Sequence, residues 1–145
     1  MAGQIAFLDT NVLVYAVDAA EPDKRARARE LLASPPAGGY AVSAQVLSEF
    51  FSVATRRLGI ASADAREGVR RFVPLCRTAV DAELVRDAID LHMEASISYW
   101  DALIVAAAAR LRCGSVLSED LGDGQLIGGV RVVNPFGDRF EAEPG

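Results

Sequence analysis

Ile5-Ala6-Phe7-Leu8-Asp9-Thr10-Asn11 opens on four apolar residues and breaks abruptly into three polar ones. A short apolar run with no alternation reads as a strand covered on both faces, the kind found in parallel sheets. Asp, Thr and Asn are residues that begin helices, so the spacing predicts a strand through Leu8 and a helix from Asp9 through Val17. The same alternation continues downstream. A helix is expected over Glu21–Ala33, with Pro22 in its first turn and Pro35-Pro36 beyond its end. Gly38-Gly39 turns into a strand at Tyr40–Val42, and Ser43 is placed to cap a long helix that Gly59 stops after Leu58. Ser62 opens a helix to about Leu75, Arg77–Val80 reads as a strand, and Asp81–Ala95 as a helix. Ser98–Cys113 is the most apolar helix and is stopped by Gly114, while Ser115–Leu117 and Val130–Val133 read as buried strands. Strands separated by helices predict an α/β fold: one domain, with a parallel sheet of about four to five strands flanked by helices. The domain is expected over residues 1–136, with a polar tail over 137–145.

The chain has 145 residues, 51% apolar and 24% charged, which suits one well-buried core and excludes a disordered chain. The longest wholly apolar run, Ala102–Ala109, falls far short of the roughly 20 residues of a membrane span. Met1–Thr10 carries no basic leader and Asp9 interrupts its apolar segment, so no secretory signal is expected. Two cysteines, Cys76 and Cys113, are too few for a disulfide framework, and a reducing cytoplasm is the expected setting. Fifteen basic residues against twenty acidic ones give a net charge of −5, which excludes a general polyanion binder with a basic surface. Any nucleic acid must be engaged locally or through a cation.

In open α/β sheets ligands gather beyond the carboxyl ends of the strands. Asp9 ends the first strand and Asp120 follows the strand Ser115–Leu117, so both belong at one sheet edge. Glu49 lies inside the Ser43–Leu58 helix and Asp101 in the first turn of the Ser98–Cys113 helix. Each acid also has an ordinary reading. Asp9 suits a helix cap, Glu49 an ion pair with Arg56, and Asp120 a turn before Gly122. Asp101 completes the capping pattern Ser98-Tyr99-Trp100-Asp101. Taken together they predict more, because two carboxylates about 4 Å apart repel by roughly 1–4 kcal/mol. Four at one edge are tolerable around a divalent cation, and an oxygen-only donor set suits Mg²⁺ or Mn²⁺. The only histidine, His92, has no partner histidine and reads as a half-buried helix residue, which argues against a zinc site or a Ser-His-Asp triad. Neither GxGxxG nor GxxxxGK[ST] occurs.

At this point the chain resembles the PIN-domain ribonucleases, in particular the VapC-type toxins of bacterial toxin–antitoxin pairs. Four stretches carry the resemblance: Phe7–Tyr15, Ser43–Phe50, Ser98–Ala108, and Leu117–Gln125 together with Val133-Asn134-Pro135-Phe136. The resemblance implies a PIN-like three-layer sandwich and a Mg²⁺-dependent (or Mn²⁺-dependent) endoribonuclease. Asp9 and Asp101 resemble the principal metal ligands, Glu49 the acid that completes the cluster, and Asp120 the fourth acid. Asn11, Ser118 and Asp123 stand in supporting positions; many relatives have a further acid where this chain has Gly122. Arg56 and Arg110 are candidate contacts to RNA phosphates, with Arg57 and Arg112 on the rim. Tyr99 or Trp100 offers a ring for stacking a base, although Trp100 is expected in the core. The resemblance further implies an antitoxin that covers the acidic pocket, and a toxin homodimer.

Three other readings compete. One is a PIN-type processing nuclease with no antitoxin, and another is a binding module that has kept the fold without catalysis. The third, phosphoryl transfer through a strand-end aspartate, is disfavoured because Asp9-Thr10-Asn11 has no second acid two residues on.

Overall fold

In the computed structural model, which describes residues 4–137, a strand β1 (Ala6–Leu8) leads directly into a short helix α1 (Thr10–Tyr15). There follow α2 (Pro22–Ala33), β2 (Tyr40–Ser43), α3 (Ala44–Arg56), α4 (Ser62–Phe72), a 3-10 turn (Val73–Leu75) and β3 (Cys76–Thr78). The chain continues through α5 (Ala82–Ala95), α6 (Tyr99–Arg110), β4 (Ser115–Leu117), β5 (Leu126–Ile127) and β6 (Val130–Val133). The strands form one sheet in the order β3-β2-β1-β4-β6-β5, parallel except where β5 runs antiparallel to β6. The parallel sheet flanked by helices is as the sequence predicts. The strand count is six rather than four to five. The additional strand comes from Gly128-Gly129, both at positive φ, which closes a two-residue hairpin between Ile127 and Val130. Two consecutive left-handed residues are what such a turn requires, so the Gly-Gly pair was the signal for it.

The apolar run of β1 is covered on both sides, with Phe7 and Leu8 fully buried. Each contributes roughly 1.5–3 kcal/mol by leaving water. Alanines of α6 let that helix pass close to β2, β4 and β6, and Ala102 through Ala108 are all buried. On the other flank α3 packs against α4, where the Phe50 and Phe72 rings meet edge to face at 5.3 Å. Gly68 is in α4 because a Cβ there would stand 3.0 Å from the Phe50 ring.

Three local expectations are corrected. Ser43 occupies the N-cap position of α3, yet its buried hydroxyl makes no capping bond. His92 is exposed rather than half-buried, with Nδ1 against the Ile97 carbonyl at the end of α5. The strand expected at Arg77–Val80 begins one residue earlier and ends at Thr78, because Asp81 caps α5 by accepting from Leu84 N–H at 2.9 Å. Of the expected tail, 137–145, all but Gly137 lies outside the described residues.

Candidate active site

The strand order reverses direction at β1: the chain steps to β2 and β3 on one side, then returns to place β4 on the other. Such a switch point opens a crevice beyond the strand ends. Asp9 leaves β1 there and Ser118-Glu119-Asp120 leaves β4, tied by the Asp9 N–H to the Leu117 carbonyl at 3.0 Å. The N-terminus of α6 brings Asp101 and the middle of α3 brings Glu49. All four acids line one cleft of about 240 Å³, together with Thr10, Asn11, Tyr15, Arg57 and Trp100.

The buried end of the cleft is tightly bonded. Asp9 is the N-cap of α1, accepting from its neighbour Thr10 N–H at 2.7 Å, and it also accepts from the Ser118 hydroxyl at 2.7 Å. The cap and cleft roles of Asp9 thus coexist. Ser118 Oγ receives Asp120 N–H at 3.1 Å and Asn11 Nδ2 at 3.2 Å. Asn11 reaches Asp120 as well, at 3.3 Å, while its Oδ1 accepts Glu119 N–H at 3.1 Å. Asn11 and Ser118 therefore fasten the two strand ends together. The hydroxyl of Thr10, which the sequence did not single out, donates to Glu49 at 3.0 Å and fixes the helix acid against the strand end.

Electrostatics oppose this gathering. Burial, chiefly, pushes the Asp9 carboxyl up to about 6 from near 3.8; bonds from Ser118 and Thr10 pull it down, and the charges of Asp120 and Asp101 push it further up. Glu49 is raised as well, by burial first and then by Asp101, against the bond from Thr10. Ser98 caps α6 by accepting from Asp101 N–H at 3.1 Å, so the Asp101 carboxylate is left for the cleft.

The donor chemistry is that of a hard cation: carboxylates and hydroxyls, with no imidazole or thiolate on the cleft wall. Among the described residues no three acidic, imidazole or thiol side chains converge closely enough to cage an ion. The fit is thus to a cation that keeps much of its water and takes one or two carboxylates, as Mg²⁺ does. Asp9 with Asp101 or Asp120 would supply that pair.

Other expected residues lie elsewhere. Asp123 accepts Asn134 N–H at 3.0 Å, which secures the segment after β6, and it does not line the cleft. Arg110 is bound by both nitrogens to Asp81, at 2.9 and 3.0 Å. It lies nine positions along the helix from Asp101, about 13.5 Å along the axis, so it stands at the wrong end of α6. Arg56 is exposed and off the cleft; α3 ends at that residue, and the next one, Arg57, lines the cleft instead. Trp100 is 63% exposed rather than core, because turning Asp101 into the cleft turns its predecessor outward.

A second polar group sits behind the cleft. Lys24 pairs with Glu119 at 2.7 Å, and Tyr15 donates to Glu119 at 2.6 Å. Although burial pushes Glu119 up, these two partners outweigh it and hold the carboxyl below its ordinary value. They also draw Glu119 away, so that Asp120 alone of the pair faces the cleft. Lys24→Met is expected to cost less than about 1 kcal/mol of stability in urea unfolding, since the pair is partly solvated. A loss of several kcal/mol would show that the latch holds the fold itself.

Comparison with known proteins agrees with this architecture. A family model described as PIN domain matches residues 6–122. No curated protein matches. Among solved structures, the chain is similar to VapC20 of Mycobacterium tuberculosis, a toxin that cleaves the sarcin-ricin loop. The two share 26% identity and a TM-score of 0.62, over 79% of this chain and 91% of that one. A toxin–antitoxin complex from Klebsiella pneumoniae gives 22% identity and a TM-score of 0.63, over 90% and 98% of the two chains. VapBC2 from Rickettsia felis, bound to a DNA fragment from its promoter, gives 17% and 0.61, over 89% and 97%. At such identities the last two speak for the fold alone.

Proposed function

The chain belongs to the PIN-domain family, and from that premise we propose that it is a metal-dependent endoribonuclease acting as the toxin of a toxin–antitoxin pair. The observation that carries the reading is the convergence of Asp9, Glu49, Asp101 and Asp120 on one cleft at the switch point of the sheet. Nothing else on the cleft wall offers a nucleophile of the Ser-His or Cys-His kind. The nuclease unit is assigned to residues 1–136, working on RNA in the cytoplasm, as a homodimer, with an antitoxin segment covering the acidic cleft. Among the described residues no helix is long and apolar enough to cross a membrane.

A bound Mg²⁺ or Mn²⁺ supplies water of lowered pKa and offsets charge on the phosphate oxygens. The chain's own residues do the remainder. Asp9 and Asp101 would hold the cation, with Asp120 tied to the Asp9 side of the cleft through Asn11 and Ser118. Glu49, steadied by Thr10 and raised in pKa by burial, is poised to accept a proton from the attacking water. Ser118 and Asn11 orient the carboxylates of Asp9 and Asp120. Arg57 is the cation on the cleft wall available to a phosphate.

The test is calorimetric and catalytic together. Mn²⁺ titrated into the purified chain is expected to give saturable binding heat that Asp101→Asn removes, and excess EDTA is expected to stop cleavage of RNA. Cleavage undiminished in EDTA would refute the metal's role, and absence of both heat and cleavage would identify a catalytically silent module.

A further inference from the structure

Beside the carboxylate cleft, and sharing Glu49 and Trp100 with it, runs a mainly apolar groove of about 460 Å³ lined also by Gln45, Ser48, Val80 and Leu103. Two features mark it as a built site. Trp100 stands 63% exposed at its mouth, the indole held edge to face against Tyr99 at 5.1 Å. Gln45, only 9% exposed, donates through Nε2 to the Trp100 carbonyl at 3.2 Å and so holds the backbone that carries the indole.

We infer that this groove is a nucleobase subsite, in which one unpaired base of the RNA stacks on Trp100. The inference rests on the nuclease reading above and specifies how that enzyme holds its substrate. Continuity favours a base as occupant: a nucleotide whose phosphate lies in the carboxylate cleft must put its base beside that cleft. Charge favours it too. The chain carries −5 overall, Arg110 is tied to Asp81, and the cleft wall has the single cation Arg57 among the described residues, so stacking must supply grip that charge does not.

Trp100 is the only tryptophan, so its fluorescence reports the groove directly. The full chain is titrated with single-stranded RNA oligonucleotides in Ca²⁺, with fluorescein anisotropy reporting binding in parallel. Cleavage of the same RNA is assayed separately in Mg²⁺. Saturable quenching of the indole is expected with RNA and not with an abasic ribose-phosphate chain of the same length. Trp100→Ala is expected to weaken binding about tenfold to a hundredfold, with Trp100→Phe recovering part of it. Binding with unchanged emission, or equal quenching by the abasic chain, overturns the subsite while leaving the nuclease reading intact. Emission that instead tracks protein concentration without RNA, with a dimer that Trp100→Ala dissolves, assigns the groove to a second copy of this chain and also overturns it. Absence of both binding and cleavage defeats the nuclease reading, and the subsite with it.

Discussion

Asp101→Asn is expected to lower RNA cleavage by about 10³-fold or more while the chain remains folded, a loss near 4 kcal/mol of transition-state stabilisation at 1.36 kcal/mol per tenfold. The substitution separates chemistry from folding because the two use different atoms. The helix cap is made by the backbone N–H of residue 101 on Ser98 Oγ, and asparagine keeps that bond. What asparagine loses is one favourable charge at the α6 N-terminus, about 0.3–1 kcal/mol. It also removes a charge that raises Asp9 and Glu49, so part of that loss is returned. Circular dichroism and urea unfolding check the fold, and a cleavage time course in Mg²⁺ checks the chemistry. Full activity in the variant would remove Asp101 from the site.

How much of this was legible in the sequence follows the kind of signal each part carries. β1 is an apolar run ending at Asp9, and β4 is the short strand Ser115-Val116-Leu117 followed within three residues by Asp120, so the placing of both acids could be read directly. β5 has two residues and no pattern of its own; it exists through the turn at Gly128-Gly129 and its pairing with β6. Topology sends the strand ends with Asp9 and Asp120 to one edge, whereas Glu49, in the middle of α3, and Asp101 join them through the family resemblance. The residues around them were harder, since their roles depend on exact directions. Thr10 was passed over because a hydroxyl beside a cap residue is common, and only the packing of α1 on α3 turns it toward Glu49. Trp100 reads as core because it precedes an apolar helix, yet it is exposed, and Arg110 pairs with Asp81, a contact between α6 and the start of α5 that spacing within one helix does not reveal.

A second large effect concerns stability in the absence of metal, and its sign follows from the raised carboxyl of Asp9. In the unfolded chain this aspartate ionises near 3.8, and in the folded chain only at about 6. Between those values the folded state holds the extra proton, so the contribution of this carboxyl to stability is fully present below about pH 4 and is lost as pH rises through 6. Two pK units correspond to roughly 3 kcal/mol, a large share of the 5–15 kcal/mol typical of a domain. Glu49, raised for the same reason, adds to the slope in the same direction. Urea midpoints of the metal-free protein are therefore expected to decline from about pH 4 to 7, against the opposite contribution of Glu119. Asp9→Asn, neutral throughout, is expected to flatten most of that decline while abolishing cleavage. Asparagine keeps one oxygen to accept from Thr10 N–H or the Ser118 hydroxyl and loses the other, which limits the gain at neutral pH to about 1–2 kcal/mol. Mn²⁺ is expected to restore the wild-type protein by about 2.7 kcal/mol at a hundred times its dissociation constant, and to do nothing for the variant. A flat metal-free profile, or the same slope in Asp9→Asn, would mean that the buried carboxylate is satisfied by Ser118 and Thr10 alone. The cleft would then need no cation to hold its charge.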